Sequence, residues 1–150
     1  MRFFWFPVLI GLFLFTGRAA VTAEVQVSDP QPSMDEPRRI IVSLHDKDDA
    51  KVNNILYNIV NIQKFYGQDN VEVVVVGWGA GVRPLLKPDS TVRARIESLI
   101  QYGITFIACK NTMDTVGRKI DDLIDGVEWV DAGLPEIIER RVGGWVDIWP

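Results

Sequence analysis

The sequence predicts an α/β fold: a three-layer sandwich around a mainly parallel five-stranded sheet. Two observations lead there. Short apolar runs bounded by polar or glycine turns alternate with segments of helical period, the rhythm of a parallel sheet covered on both faces. Two of the runs, Val71–Val76 (Val-Glu-Val-Val-Val-Val) and Ile104–Ala108 (Ile-Thr-Phe-Ile-Ala), are almost continuously apolar, as strands buried on both faces are.

The elements follow in order. Arg39–Leu44 (Arg-Ile-Ile-Val-Ser-Leu) is the first strand and ends at His45. Asp46–Asp49 is a polar turn of helix N-cap character. Val52, Ile55, Leu56, Ile59, Val60 and Phe65 then recur close to a helical period, with Gly67 as the stop. Val71–Val76 is the second strand. It runs into Gly77-Trp78-Gly79-Ala80-Gly81 and a short helical turn around Val82–Leu86. Ser90 is placed to cap a helix over Thr91–Tyr102 with Ile96, Leu99 and Ile100 as its stripe, and Gly103 ends it. The third strand leads to Cys109. Met113–Leu123 reads as one or two helical turns broken at Gly117, Val127–Val130 as a fourth strand, Leu134–Arg141 as a helix, and Trp145–Trp149 as a final strand.

Residues 1–23 read as a signal peptide rather than as part of the fold. Arg2 supplies a positive start, Phe3–Phe15 is an apolar run of 13 residues, and Val21-Thr22-Ala23 offers small residues for cleavage before Glu24. The run is short of the roughly 20 residues of a membrane span, although an uncleaved N-terminal anchor is the alternative. No cysteine lies near the cleavage point, which excludes a lipid-modified anchor there. The expected location is periplasmic or secreted, with no stable membrane insertion after processing. Residues 24–38 hold three prolines and little apolar content and read as a linker, leaving 39–150 as the domain.

Without the leader, 127 residues remain, enough for one domain. Arg2 and Arg18 leave with the leader, so 14 basic residues face 20 acidic ones, a charge of −6. An acidic domain without a lysine stripe is a poor binder of nucleic acid. One cysteine rules out an internal disulfide, and one cysteine with one histidine does not make a zinc site. Asp46, Asp48 and Asp49 lack the glycine turn and distal glutamate of a calcium loop, and a helix N-terminus accounts for them. No cofactor is expected.

Three strand ends carry unusual residues: His45 after the first, the glycine turn after the second, Cys109 after the third. In a parallel sheet these share one rim, where ligands and chemistry collect. Lys110-Asn111-Thr112 carries cap-type residues after Cys109, and a thiol facing a helix start has a lowered pKa. The other reading of Cys109 is a small buried hydrophobe. His45 either takes up the thiol proton or merely braces the turn into Asp46. Gly77, Gly79 and Gly81 miss the spacing of a dinucleotide fingerprint; they form either a tight turn or a nest for a small anion such as an oxidised sulfur species. Trp145 and Trp149 on one side of the final strand point to a buried edge or a subunit contact.

Taken together, these residues resemble the DsrE/DsrF-like family of small α/β sulfur-relay proteins. The likeness runs from Arg39 to Pro150. It rests on His45-Asp46, the Asn53–Asn61 helix with Asn58-Ile-Val-Asn61, the Val71–Val76 strand into Gly79-Ala-Gly81-Val82, and above all Gly103–Thr112 with Ala108-Cys109-Lys-Asn111-Thr112. The resemblance implies a homotrimer or homohexamer in which Cys109 accepts a persulfide sulfur and passes it on. Asn111 would steady the thiolate and His45 tune the proton balance, while Gly79, Gly81 and Thr112 line a ligand site. The partner would be a sulfur donor or acceptor protein, or a small sulfur compound. The export signal and Asn111-Thr112 depart from the cytoplasmic relay proteins. The competing expectation is a non-catalytic oligomeric module that binds a small ligand or a protein, with Cys109 structural.

Overall fold

The first strand, β1 (Arg38–Leu44), buries Ile40, Ile41, Val42 and Leu44 almost completely, which requires cover on both faces. The computed structural model describes Met1 and residues 24–150, and the expected signal peptide lies outside the described residues. Four more strands join β1: β2 (Val71–Gly77), β3 (Thr105–Cys109), β4 (Glu128–Val130) and β5 (Val146–Ile148). Their order is β4-β3-β2-β1-β5 and every pairing is parallel. The mainly parallel sheet expected from the sequence is therefore parallel throughout.

Period-two alternation splits the strands between two unequal layers. One face carries Ile40, Val42, Leu44, Val73, Val75, Phe106 and Ala108. It packs against α1 (Asp49–Tyr66) through Val52, Ile55, Leu56 and Ile59, and against α2 (Arg93–Gln101) through Ile96 and Leu99. Each fully buried aliphatic side chain there contributes about 1.5–3 kcal/mol. The opposite face carries Ile41, Val74, Val76 and Ile107, covered by α4 (Gly133–Val142) through Ile137. Trp145 completes this side, with the guanidinium groups of Arg39 and Arg140 over its ring at 5.8 and 4.6 Å.

The boundaries follow local chemistry. The Asp48 carboxylate accepts from the Lys51 N–H and caps α1. Asp46 accepts from the N–H groups of Lys47 and Asp48 and pairs with Lys51 at 2.6 Å, which holds its carboxyl at about 2. The acidic turn is thus a helix entry. Ser90 does not cap α2; its hydroxyl accepts from the Val92 N–H, and the helix starts at Arg93. The turn after β2 is a 3₁₀ helix over Gly79–Leu85. The helix expected from Met113 begins instead at Lys110, directly after the cysteine, as α3 (Lys110–Thr115). Residues 24–37 carry no helix or strand, and Arg38 ties them back by donating to the carbonyls of Ser28 and Pro30.

Candidate functional site

Cys109 is the last residue of β3, on the face covered by α4, and is 6 % exposed. Three segments meet around its sulfur. The start of α3 follows it in the chain. The turn after β2 reaches it through Gly79, whose N–H donates to Thr112 Oγ1 at 3.3 Å. The first turn of α4 lies over it: a methyl group on Gly133 would sit 3.1 Å from Cys109 Cβ and 3.3 Å from Trp78 Cβ and Val76 Cγ1. The loop after β4 is pinned to the same place by the Asn111 N–H, which donates to the Asp131 carbonyl at 3.1 Å.

This arrangement sets the acidity of the thiol. Burial pushes Cys109 up, since a charged sulfur loses water. Hydrogen bonding from the Thr112 hydroxyl and from the backbone at Gly133 and Thr112 opposes it and wins, so the thiol lies below its ordinary value. A sulfur faced by a hydroxyl and by N–H groups from two helix starts is set up as an anion. A lowered pKa raises the fraction present as thiolate, the form in which the sulfur is nucleophilic.

The residues singled out in the sequence separate here. Cys109, Asn111, Thr112 and Gly79 come together, with the Asn111 backbone N–H given to the Asp131 carbonyl. Gly79 needs its φ of +55°, which glycine adopts without strain. Gly81 faces away from the sulfur and packs on the end of β1, where a Cβ would run into the Leu44 carbonyl and lie 2.7 Å from the His45 nitrogen. It is a close-approach glycine with no space beside it for a ligand. His45 is not brought to the thiol. Strand β2 lies between β1 and β3, so two strand spacings, about 10 Å, separate the ends, and Trp78 stands between. His45 instead stacks on Trp78 and Trp149, with ring centroids 5.9 and 5.2 Å apart.

Two residues of the site escaped the sequence reading. Gly133 and Trp78 enclose the sulfur, and only the meeting of α4 with β2 and β3 reveals it. A glycine followed by Pro135 in the first turn was the available sign that the helix start is a close-approach point. Among the described residues, no three metal-ligating side chains cluster, and no helix is long and apolar enough to cross a membrane.

An open parallel sheet with a buried thiol at its carboxyl rim places the chain among α/β proteins with a strand-end cysteine. The chain belongs to the DsrE/DsrF-like family, whose pattern matches residues 40–140. Among solved structures it is similar to MTH1491, a protein of unknown function from Methanobacterium thermoautotrophicum. Identity is 30 % and the TM-score 0.71, covering 75 % of this chain and 98 % of that one. The ychN protein of E. coli shares the fold at 17 % identity and a TM-score of 0.64, with 75 % and 99 % covered. So does BT1422, a conserved protein of unknown function from Bacteroides thetaiotaomicron, at 22 % and 0.60, with 75 % and 95 % covered. No curated protein gives a significant match.

Proposed function

We propose that this protein is an exported sulfur carrier in which Cys109 holds sulfane sulfur as a persulfide. The observation that carries the reading is the place of Cys109, the last residue of β3 at the strand-end rim, directly ahead of α3 and beneath the first turn of α4 at Gly133, with Thr112 tied to the β2 turn by the Gly79 N–H. Family membership, with its sulfur-relay character, supports it. In loading, the Cys109 thiolate forms an S–S bond to the sulfane sulfur of a donor, and the donor's S–S bond breaks with its electron pair leaving on the donor. In unloading, an acceptor thiolate attacks the outer sulfur and Cys109 leaves as thiolate. The same donors that favour the thiolate make it a good leaving group. The Arg2, Phe3–Phe15 and Val21-Thr22-Ala23 pattern supports export to the periplasm or beyond, and the exposed Val146 on edge strand β5 and Trp149 just after it support assembly into a homotrimer or homohexamer.

The 6 % exposure of Cys109 favours a second reading, a binding module in which the cysteine only packs. Treatment of the native protein with polysulfide separates the two. Under the carrier reading, intact-mass measurement shows sulfur added one atom at a time, and Cys109→Ser abolishes it while melting is unchanged. If the native thiol resists sulfur and Cys109→Ser costs more than about 2 kcal/mol, the range of core damage, the packing reading stands.

A further inference from the structure

Away from Cys109, a groove of about 550 Å³ runs between α1 and α2, within the range of small-molecule sites. It reaches Gly67 and Tyr102, just ahead of β2 and β3, whereas Cys109 closes β3 at the other end of the sheet. Val60, Leu99 and the exposed Tyr102 give it apolar walls, and Gln63 and Ser98 add polar lining. The groove is held in shape by side chains from both helices. Gln63 Nε2 donates to the Tyr102 carbonyl at 2.7 Å and ties the end of α2 to α1. Nearer the start of α2, Arg95 is fixed on α1 twice. Its Nη1 donates to Asn53 Oδ1 at 2.8 Å, and its guanidinium carbon lies 3.9 Å from the centre of the Tyr57 ring.

The charge of the groove is one-sided. Lys64 and Arg95 line it and no carboxylate does, on a chain whose net charge is −4. The ion pairs among the described residues engage neither cation. Glu97, the acidic residue beside Ser98, is taken by Arg93 at 2.7 Å. Arg95 is thus a partly buried guanidinium, set in place by a neutral amide and an aromatic ring, with its charge left unanswered. Its planar fork suits a carboxylate.

We propose that this groove binds a small organic carboxylate with an apolar body. The carboxylate meets Arg95 and Lys64, and the body lies on Val60, Leu99 and Tyr102. An inorganic anion would leave the apolar walls in water, and a neutral apolar molecule would leave both cations unanswered. A free medium-chain carboxylate satisfies the walls and the charge together. Because Arg95 and Gln63 are already held in place, little ordering is spent on binding.

Octanoate is the probe, titrated into the full chain by calorimetry. Octanol, which lacks the charge, and acetate, which lacks the body, are the controls. Two variants address the groove: Ser98→Trp fills it from an exposed helix position, and Lys64→Glu reverses a charge on an exposed one. Thermal melting checks that each folds. The expected result is saturable binding of octanoate, with octanol and acetate at least about tenfold weaker, the scale of one lost charged hydrogen bond. Ser98→Trp should abolish binding and Lys64→Glu should weaken it by a similar factor. Octanol binding as tightly as octanoate, octanoate binding undiminished in both folded variants, or no saturation by about 1 mM overturns the inference. Light scattering on the same samples tests the other occupant: chain association that Ser98→Trp abolishes assigns the groove to a second copy and also overturns it. Nothing in the test involves Cys109, so the carrier reading stands or falls separately.

Discussion

Replacing Thr112 by valine keeps the shape of the side chain and removes one oxygen. That oxygen accepts from the Gly79 N–H at 3.3 Å, and its proton faces the Cys109 sulfur. Gly79 is exposed, so water replaces the lost acceptor and this half costs no more than about 0.5 kcal/mol. The sulfur half depends on charge. A hydrogen bond to an ionised group is worth about 1.5–3 kcal/mol, and at a rim close to water the lower end applies. Because the folded thiol lies below its unfolded value, the stability that it contributes is complete above the unfolded value of about 8.5 and is lost as pH falls through the folded one. The gap between wild type and Thr112→Val should be smallest where the folded thiol is protonated and widen to about 1.5 kcal/mol above the unfolded value of about 8.5. Denaturant unfolding across that range measures it, and the pH profile of thiol alkylation should move upward in parallel. In a Cys109→Ser background the pH dependence of the gap should vanish, which isolates the pair. A gap that is flat with pH, or that survives in that background, refutes the account of the sulfur as a hydrogen-bonded anion.

Other consequences are open to direct measurement. Gly81→Ala should cost more than about 4 kcal/mol, because its Cβ runs into the Leu44 carbonyl; circular dichroism should show loss of the folded state. His45→Gln should leave the alkylation profile of Cys109 within about twofold of wild type, since Trp78 separates the two; a large shift would give the imidazole a role at the sulfur. Terminal sequencing of the exported protein should begin at or near Glu24, and recovery of full-length chain only from membranes would establish an anchor instead. Light scattering should give a trimer or hexamer at micromolar concentration, and a clean monomer would refute the assembly.

The strand–helix alternation was legible in the sequence because buried parallel strands cannot hide their apolar runs: Val71–Val76 and Ile104–Ala108 admit little else. The Asp46–Asp49 turn was legible as a helix entry because its carboxylates act on the helix beside them, and the cap within it is Asp48. What escaped depends on strand order. His45 and Cys109 both follow strands on one rim, yet β2 lies between theirs and sets Trp78 in the gap. Gly79 and Gly81 look alike in sequence, but the first reaches Thr112 while the second lies against Leu44. Gly133 packs against Cys109, 24 residues earlier in the chain, and no local pattern reports such a contact.

The pairing of β1 with β5 also governs how this molecule comes into being. Ile40 aligns with Val146, and every other pair in the sheet is parallel too, so no hairpin provides a local nucleus. Such non-local topologies fold slowly, because the entropy of closing long loops is spent before the contacts repay it. Until residues near 146 arrive, one edge of β1, with Ile40, Ile41 and Val42, has no strand beside it and is a template for wrong pairings. The nascent chain therefore has a long interval in which it is unfolded and adhesive. Pairing that edge early would do more for the yield of folded chain than any further packing on the two faces of the sheet.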